Sequence, residues 1–168
     1  NASGEWARTP TARALLLAET FAKKSVLGVV EHNDYSTLYP LDNCKQETLP
    51  IPKVRNVLQI QAKLNPGSSE GPDKIPTRLL KQFSKDLCLP ICMLVRIILA
   101  SGQWPECWKL HWVRSLHKKG SHADPDNYRG VHLTSQLSKV VERVISQLFT
   151  PWLERHGRFS PFQFAYRR

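Results

Sequence analysis

The sequence predicts an α+β chain, mainly helical, with a single basic β-hairpin set between helices. Three observations carry this. Apolar residues recur at helical spacing through most of the first hundred residues and again from Leu137 to Trp152. Only two segments, Leu110 to His117 and Tyr128 to Leu133, read as strands, and the loop between them, Lys118 to Asn127, is rich in turn formers: Gly120, Asp124, Pro125, Asp126 and Asn127. The length of 168 residues and the 41% hydrophobic content suit one domain able to bury a core.

In chain order, Thr11 to Leu27 predicts a helix. Ala14, Leu17, Ala18, Phe21 and Ala22 repeat at helical spacing, Lys23 and Lys24 sit in the last turns, and Gly28 can close it. Gly28 to Pro50 is polar and irregular and reads as a linker or mobile loop. Pro52 to Leu64 predicts a second helix with Val54, Val57, Leu58 and Gln61 or Ala62 on one face. The stretch NPGSSEGPD cannot continue it. A third helix is expected over Pro76 to Leu87, with Leu79, Leu80, Phe83 and Leu87 inward and Pro76 in the first turn. Pro90 restarts the pattern, Ile91, Leu94, Val95, Ile98 and Leu99 form the next apolar face, and Gly102 ends it. Arg96 falls on the polar side, as a solvated residue. Trp104 and Trp108 flank an apolar helix end and read as core, whereas Trp112 on the strand is open between packing and base stacking. Ser135 or Thr134 can cap the last helix, whose stripe of Leu137, Val140, Val141, Val144, Ile145, Leu148, Phe149 and Trp152 is the strongest periodicity in the chain. Pro151 is expected to kink or end it. The tail, RHGRFSPFQFAYRR, is basic and aromatic and is expected to be exposed and disordered.

The formal net charge is +10, which favours a polyanionic partner. The hairpin gives that charge a place. Two lysines enter the loop and an arginine leaves it, so pairing of the strands brings Lys118, Lys119 and Arg129 together at the tip. Three cations held there suit a triphosphate or a nucleic-acid backbone. The cysteines, Cys44, Cys88, Cys92 and Cys107, read as reduced intracellular thiols, with Cys88 and Cys92 as small apolar fillers on one helix face. Cys107, His111, His117 and His122 have ligand chemistry, but their spacing fits no common zinc finger or knuckle, so no metal site is expected. There is no apolar run of membrane-spanning length and the start, NASGEWARTP, has no signal-peptide core. It also lacks an initiator Met, so the chain reads as a piece of a longer frame, located in the nucleus or cytoplasm.

Several blocks resemble a known family. WK-x-x-x-V-x-x-L-x-KKG followed by DPDNYRGVHLTSQLSKVVERVI is similar to the fingers region of reverse transcriptases, most closely those of non-LTR (LINE-type) retrotransposons. GPDKIPTRLLK upstream matches that family's GPDGIP-x-x-x-LK, and FSPFQFAYRR downstream resembles its S-x-x-Q-x-G-F-R. The blocks stand in the family's order and cover roughly Val54 to Arg168. The chain departs from the pattern at Ser115 and Gly130, where the family has Pro, at Lys74 and Ala165, where it has Gly, and at His111, where it has a small residue. Each lost Pro or Gly loosens or strains a turn.

The resemblance implies a fingers fragment of a right-hand polymerase over residues 51–168, with residues 1–50 as an N-terminal helix and linker preceding the polymerase domain. The activity implied is RNA-directed DNA polymerisation, with RNA template, DNA primer and dNTP as partners and magnesium as the cofactor of the full-length enzyme. Lys118 and Arg129 would hold the incoming nucleotide's triphosphate, with Lys119 as helper, and Lys74 and Arg78 would be candidate template contacts. The family's metal-binding aspartates lie in a palm C-terminal to the last block, so palm and thumb would come from the rest of the same polyprotein. The fragment alone is therefore expected to carry no catalytic residue, to bind no metal and to be inactive. The rival expectation is a non-catalytic nucleic-acid-binding module, a relic or reused piece of such an element, for which basic charge and stacking residues would suffice.

Overall fold

The computed structural model describes residues 7–26, 50–157 and 159. They fall into two compact units, one holding the described residues of 7–26 and 113–132, the other those of 50–112, 133–157 and 159. The tail block from Ser160 onward and residues 27–49, including Gly28, lie outside the described residues.

The second unit is helical. It contains α2 (Val54–Ala62), α3 (Thr77–Gln82), α4 (Ser84–Ser101) and α5 (Gln136–Arg155), with α2 packed on both α4 and α5. The core joins Val57, Leu64 and Leu80 to Ile91, Val95 and Ile98 of α4 and to Val140, Val141 and Val144 of α5. In α4 and α5 these residues recur three or four positions apart, so each of the two turns one stripe inward. Cys88 and Cys92 fill the same core as buried free thiols. Trp108 is buried, with Trp104 set edge-on to it at a ring separation of 5.3 Å, while Trp112 is exposed. Gly102, at φ +65°, ends α4 and donates its N–H to the Ile98 carbonyl at 2.9 Å. Ser135 caps α5, its Oγ accepting from the Ser138 N–H at 3.2 Å.

The prolines behave differently from the sequence reading. The break comes at Phe83, and α4 runs unbroken through Pro90. An internal proline forfeits one backbone bond and crowds the carbonyl four residues back, about 3 kcal/mol in an isolated helix. Continuity here aligns Cys88, Ile91, Cys92, Val95 and Ile98 in one buried stripe, and each large aliphatic side chain so buried returns about 1.5–3 kcal/mol. Pro151 lies inside α5, which continues to Arg155, so it does not end the helix. Pro76 precedes α3 as its N-cap, and that six-residue helix turns Thr77 and Leu80 inward. Leu79 and Phe83, expected in the core, are 42% and 47% exposed. Arg96 is not simply solvated: its guanidinium donates to the Pro52 carbonyl from Nε at 3.0 Å and from Nη2 at 2.9 Å, tying α4 to the segment that enters α2.

The loop between α2 and α3 is pressed against the start of α5. A Cβ at Gly71 would lie 2.6 Å from backbone atoms of Thr134 and Ser135, so only glycine fits. The Gln136 side-chain amide reaches back to the Ser69 carbonyl. Lys74 closes the turn, its N–H donating to the Gly71 carbonyl at 3.0 Å, and does so at φ +53°. A left-handed conformation disfavours any residue with a Cβ, which gives a physical reason for the glycine that the resembling pattern carries there.

The first unit holds α1 (Pro10–Ser25) and the hairpin of β1 (Trp112–His117) and β2 (Tyr128–Leu133), except that the hairpin's end residues, Trp112 and Leu133, belong to the helical unit. Thr9 caps α1, its Oγ1 accepting from the Ala12 N–H at 3.1 Å, with Pro10 in the first turn. Of the expected apolar face, Leu17 and Phe21 are half-buried and Ala14, Ala18 and Ala22 are exposed. β2 has the bounds the sequence predicts, and β1 starts two residues later than expected.

Two substitutions in the loop between α2 and α3 should move stability in opposite directions. Gly71→Ala forces a methyl against backbone and should lose about 1–3 kcal/mol. Lys74→Gly relieves the left-handed strain, partly offset by a more flexible unfolded chain, and should gain about 0.5–1 kcal/mol. Denaturant unfolding of both variants decides this, and a stabilised Gly71→Ala or a destabilised Lys74→Gly would contradict the packing described.

Candidate phosphate-binding hairpin

The Lys118 N–H donates to the Asn127 carbonyl at 2.8 Å, and the His117 ring lies edge-on to Tyr128 with centroids 5.3 Å apart. These contacts set His117 opposite Tyr128 in the antiparallel pair. Strand alternation then assigns the faces. Val113, Ser115 and His117 share one face with Tyr128 and Gly130, and α1 lies on that side: a Cβ at Gly130 would meet Val113 Cγ1 at 2.8 Å and the Phe21 ring at 3.7 Å. Arg114, Leu116 and Lys118 share the other face with Arg129 and Val131.

The loop is folded by its own side chains. Asp124 Oδ1 accepts from the Asp126 N–H at 2.9 Å and caps a short 3₁₀ turn, Pro125–Asn127. The Asn127 side-chain amide donates to the Ser121 carbonyl at 3.0 Å, and the Tyr128 hydroxyl donates to the His122 carbonyl at 3.0 Å. His117 Nε2 lies 3.2 Å from the Gly120 carbonyl, and the His117 and His122 rings stack at 3.8 Å. Gly120 adopts φ +81°, and the Asn127 amide stands 2.6 Å from where its Cβ would be, so the turn needs glycine twice over.

Lys118, Lys119 and Arg129 are exposed, as the sequence predicts. Lys118 and Arg129 stand on one face by alternation, at the mouth of the loop. Among the described residues none of the three has an ion pair. The acids nearby are engaged: Asp124 caps the turn and Asp126 pairs with Lys24 of α1 at 2.9 Å. Such a cluster can bind a polyanion by charge and, at Arg129, by two parallel hydrogen bonds. Lys74 and Arg78 belong to the helical unit and are both exposed, Lys74 on the rim of an apolar groove of about 420 Å³ that it shares with Leu79, Pro90 and Leu94.

Sequence reasoning passed over three residues of the hairpin. Asn127 and Tyr128 were read as turn and strand residues, and only the folded loop shows their bonds to its carbonyls. Arg114 was legible in principle, since it stands four residues before Lys118 and strands repeat every two.

If the Tyr128 hydroxyl holds the loop, Tyr128→Phe should loosen it without unfolding the chain. Loss of one exposed hydrogen bond, about 0.5–1 kcal/mol, should speed amide exchange in residues 118–127 roughly two- to fivefold. Unchanged exchange there would show that the bond does not hold the loop.

No family model matches the chain. The probable RNA-directed DNA polymerase from transposon X-element of Drosophila melanogaster is 26% identical over 177 residues, covering 99% of this chain and 19% of that protein. The RNA-directed DNA polymerase from mobile element jockey of the same organism is 26% identical over 179 residues, again 99% of this chain and 19% of the relative. A probable RNA-directed DNA polymerase from transposon BS, also from Drosophila melanogaster, is 27% identical over 135 residues, 79% of this chain and 15% of the relative. The chain spans no more than about a fifth of the length of these curated relatives. Over most of its length, the chain is similar to one stretch of the RNA-directed DNA polymerases of non-LTR retrotransposons.

Proposed function

We propose that the chain is the fingers part of a retrotransposon RNA-directed DNA polymerase and that its hairpin receives the triphosphate of the incoming nucleotide. One observation carries the reading: in a chain similar to such polymerases over most of its length, an internally bonded loop presents Lys118 and Arg129 on one face, with Lys119 beside them. Their work is electrostatic. They orient the phosphates and offset charge that grows on them during transfer, while the reacting groups come from elsewhere in the polymerase. Lys74 and Arg78 are the proposed template contacts, and RNA template, DNA primer and dNTP the proposed partners, with palm and thumb from the same polyprotein.

In this reading residues 1–50 lead into the polymerase region and residues 51–168 form its fingers. The packing of α1 on the hairpin loop ties the lead-in to the site. Magnesium would serve the full-length enzyme. The described residues hold no group of three His, Cys, Asp or Glu side chains able to bind a metal ion, so they do not fit it and no metal step is assigned to them. No helix among them is long and apolar enough to cross a membrane. The nucleus or cytoplasm is the proposed location.

Two outcomes are expected. The 168-residue chain alone should give no primer extension on an RNA template with magnesium or manganese; template-dependent incorporation by the pure protein would overturn this. Joined to its palm, the enzyme should lose nucleotide use on Arg129→Lys as well as on Arg129→Ala, because ammonium cannot reproduce the paired guanidinium bonds. The expected loss is about 1.5–3 kcal/mol, roughly ten- to a hundredfold in affinity, with melting unchanged. Wild-type incorporation by both variants would reduce Arg129 to a surface charge, and a far lower melting temperature in both would make it structural.

A further inference from the structure

We infer that Arg114 extends the hairpin's cation cluster into a track for the sugar-phosphate backbone of single-stranded nucleic acid. The inference rests on the reading of Lys118 and Arg129 as phosphate-binding groups and adds to it a residue and a second ligand for the same face. With His117 opposite Tyr128, Leu116 lies opposite Arg129, and Arg114 and Lys118 are its two neighbours on the same face of β1. Arg129 is thus diagonal to both, at about 7–8 Å between Cα positions. The row from Arg114 to Lys118 covers four residues of strand, about 13 Å.

That length decides the partner. A triphosphate is compact, and its charges fall within reach of one end of the row, at Lys118 and Arg129. Cations spread along a strand face match phosphates that follow one another along an extended polynucleotide. In the middle stands Leu116, 37% exposed, an apolar contact for a base face or sugar that a strand offers when its bases are unpaired. No acid occurs in either strand. Asp124 and Asp126 are occupied within the loop and by Lys24. Among the described residues Arg114 has no ion pair, so its charge is not offset by a neighbour there.

The test uses the 168-residue chain with two probes, a short single-stranded RNA and a deoxynucleoside triphosphate, and with Arg55→Ala, an exposed charge on α2, as the control for net charge. Arg114→Ala should weaken RNA binding roughly tenfold and lower the salt slope by about one, leaving triphosphate affinity as in wild type. Arg129→Ala should weaken both, and Arg55→Ala neither. If Arg114→Ala melts early, Arg114→Gln, which keeps the stem without the charge, decides in its place. RNA binding that is undetectable, unaffected by Arg114 variants or equally reduced by Arg55→Ala overturns the track. So does an equal loss for the triphosphate, which would place Arg114 in the nucleotide site. If Arg129→Ala leaves triphosphate affinity intact while Arg114→Ala still weakens RNA, the nucleotide reading fails and the track stands.

Discussion

Everything proposed for the hairpin depends on its register, and the register is held where the strands enter the loop. The Lys118 N–H bond to the Asn127 carbonyl and the ring contact of His117 with Tyr128 set the pairing. A slip of one residue would move every side chain of a strand to the opposite face. Arg129 would then turn toward α1, and Lys118 would no longer share its side. The bonds of Asn127 and Tyr128 to loop carbonyls oppose that slip, since shifted strands would carry those side chains away from their acceptors. The placement of the cations at the tip is therefore secured by uncharged residues beside them.

The electrostatics follow from the same arrangement. Two carboxylates lie in the loop, and either left free would lower the positive potential around Lys118 and Arg129. Asp124 accepts the Asp126 N–H as a cap, and Asp126 pairs with Lys24 of α1. An exposed pair of that kind contributes only about 0–1 kcal/mol to stability. Its larger consequence is for the local field, because it keeps an acid occupied at the base of a cation cluster.

Legibility in the sequence followed the range of the interactions involved. β2 and the stripe of α5 depend on local alternation and periodicity, and both were readable. The continuity of α4 through Pro90 was not, because it depends on what the stripe from Cys88 to Ile98 packs against. Leu79 and Phe83 were assigned inward by spacing, but the break at Phe83 rotates a six-residue α3 so that Thr77 and Leu80 take the core. Arg96 looked solvated until Pro52, forty-four residues earlier, was folded beneath it. In the site, the exposure of Lys118, Lys119 and Arg129 was legible from their place around a turn-rich loop. That Arg114 shares their face required the pairing of the strands.

The blocks that resemble the polymerase family divide by physical role. In GPDKIP, Gly71 is required by the close approach of Thr134 and Ser135, a packing duty that needs no ligand. In DPDNYR, Asp124 caps, Asn127 and Tyr128 bond the loop, and Arg129 is the member whose guanidinium stands exposed. Most of each block is thus scaffold, and what it leaves exposed and charged reduces to a few cations on its rim. The departures can be weighed accordingly. Gly130, in place of proline, carries no side chain against Val113 and Phe21, so the change falls on the face covered by α1 and leaves the cation face untouched. Lys74 keeps the turn that a glycine would make more easily, and in doing so adds a positive charge at an exposed position. The charge favours an anionic neighbour, whereas an acidic residue at the same place would repel one.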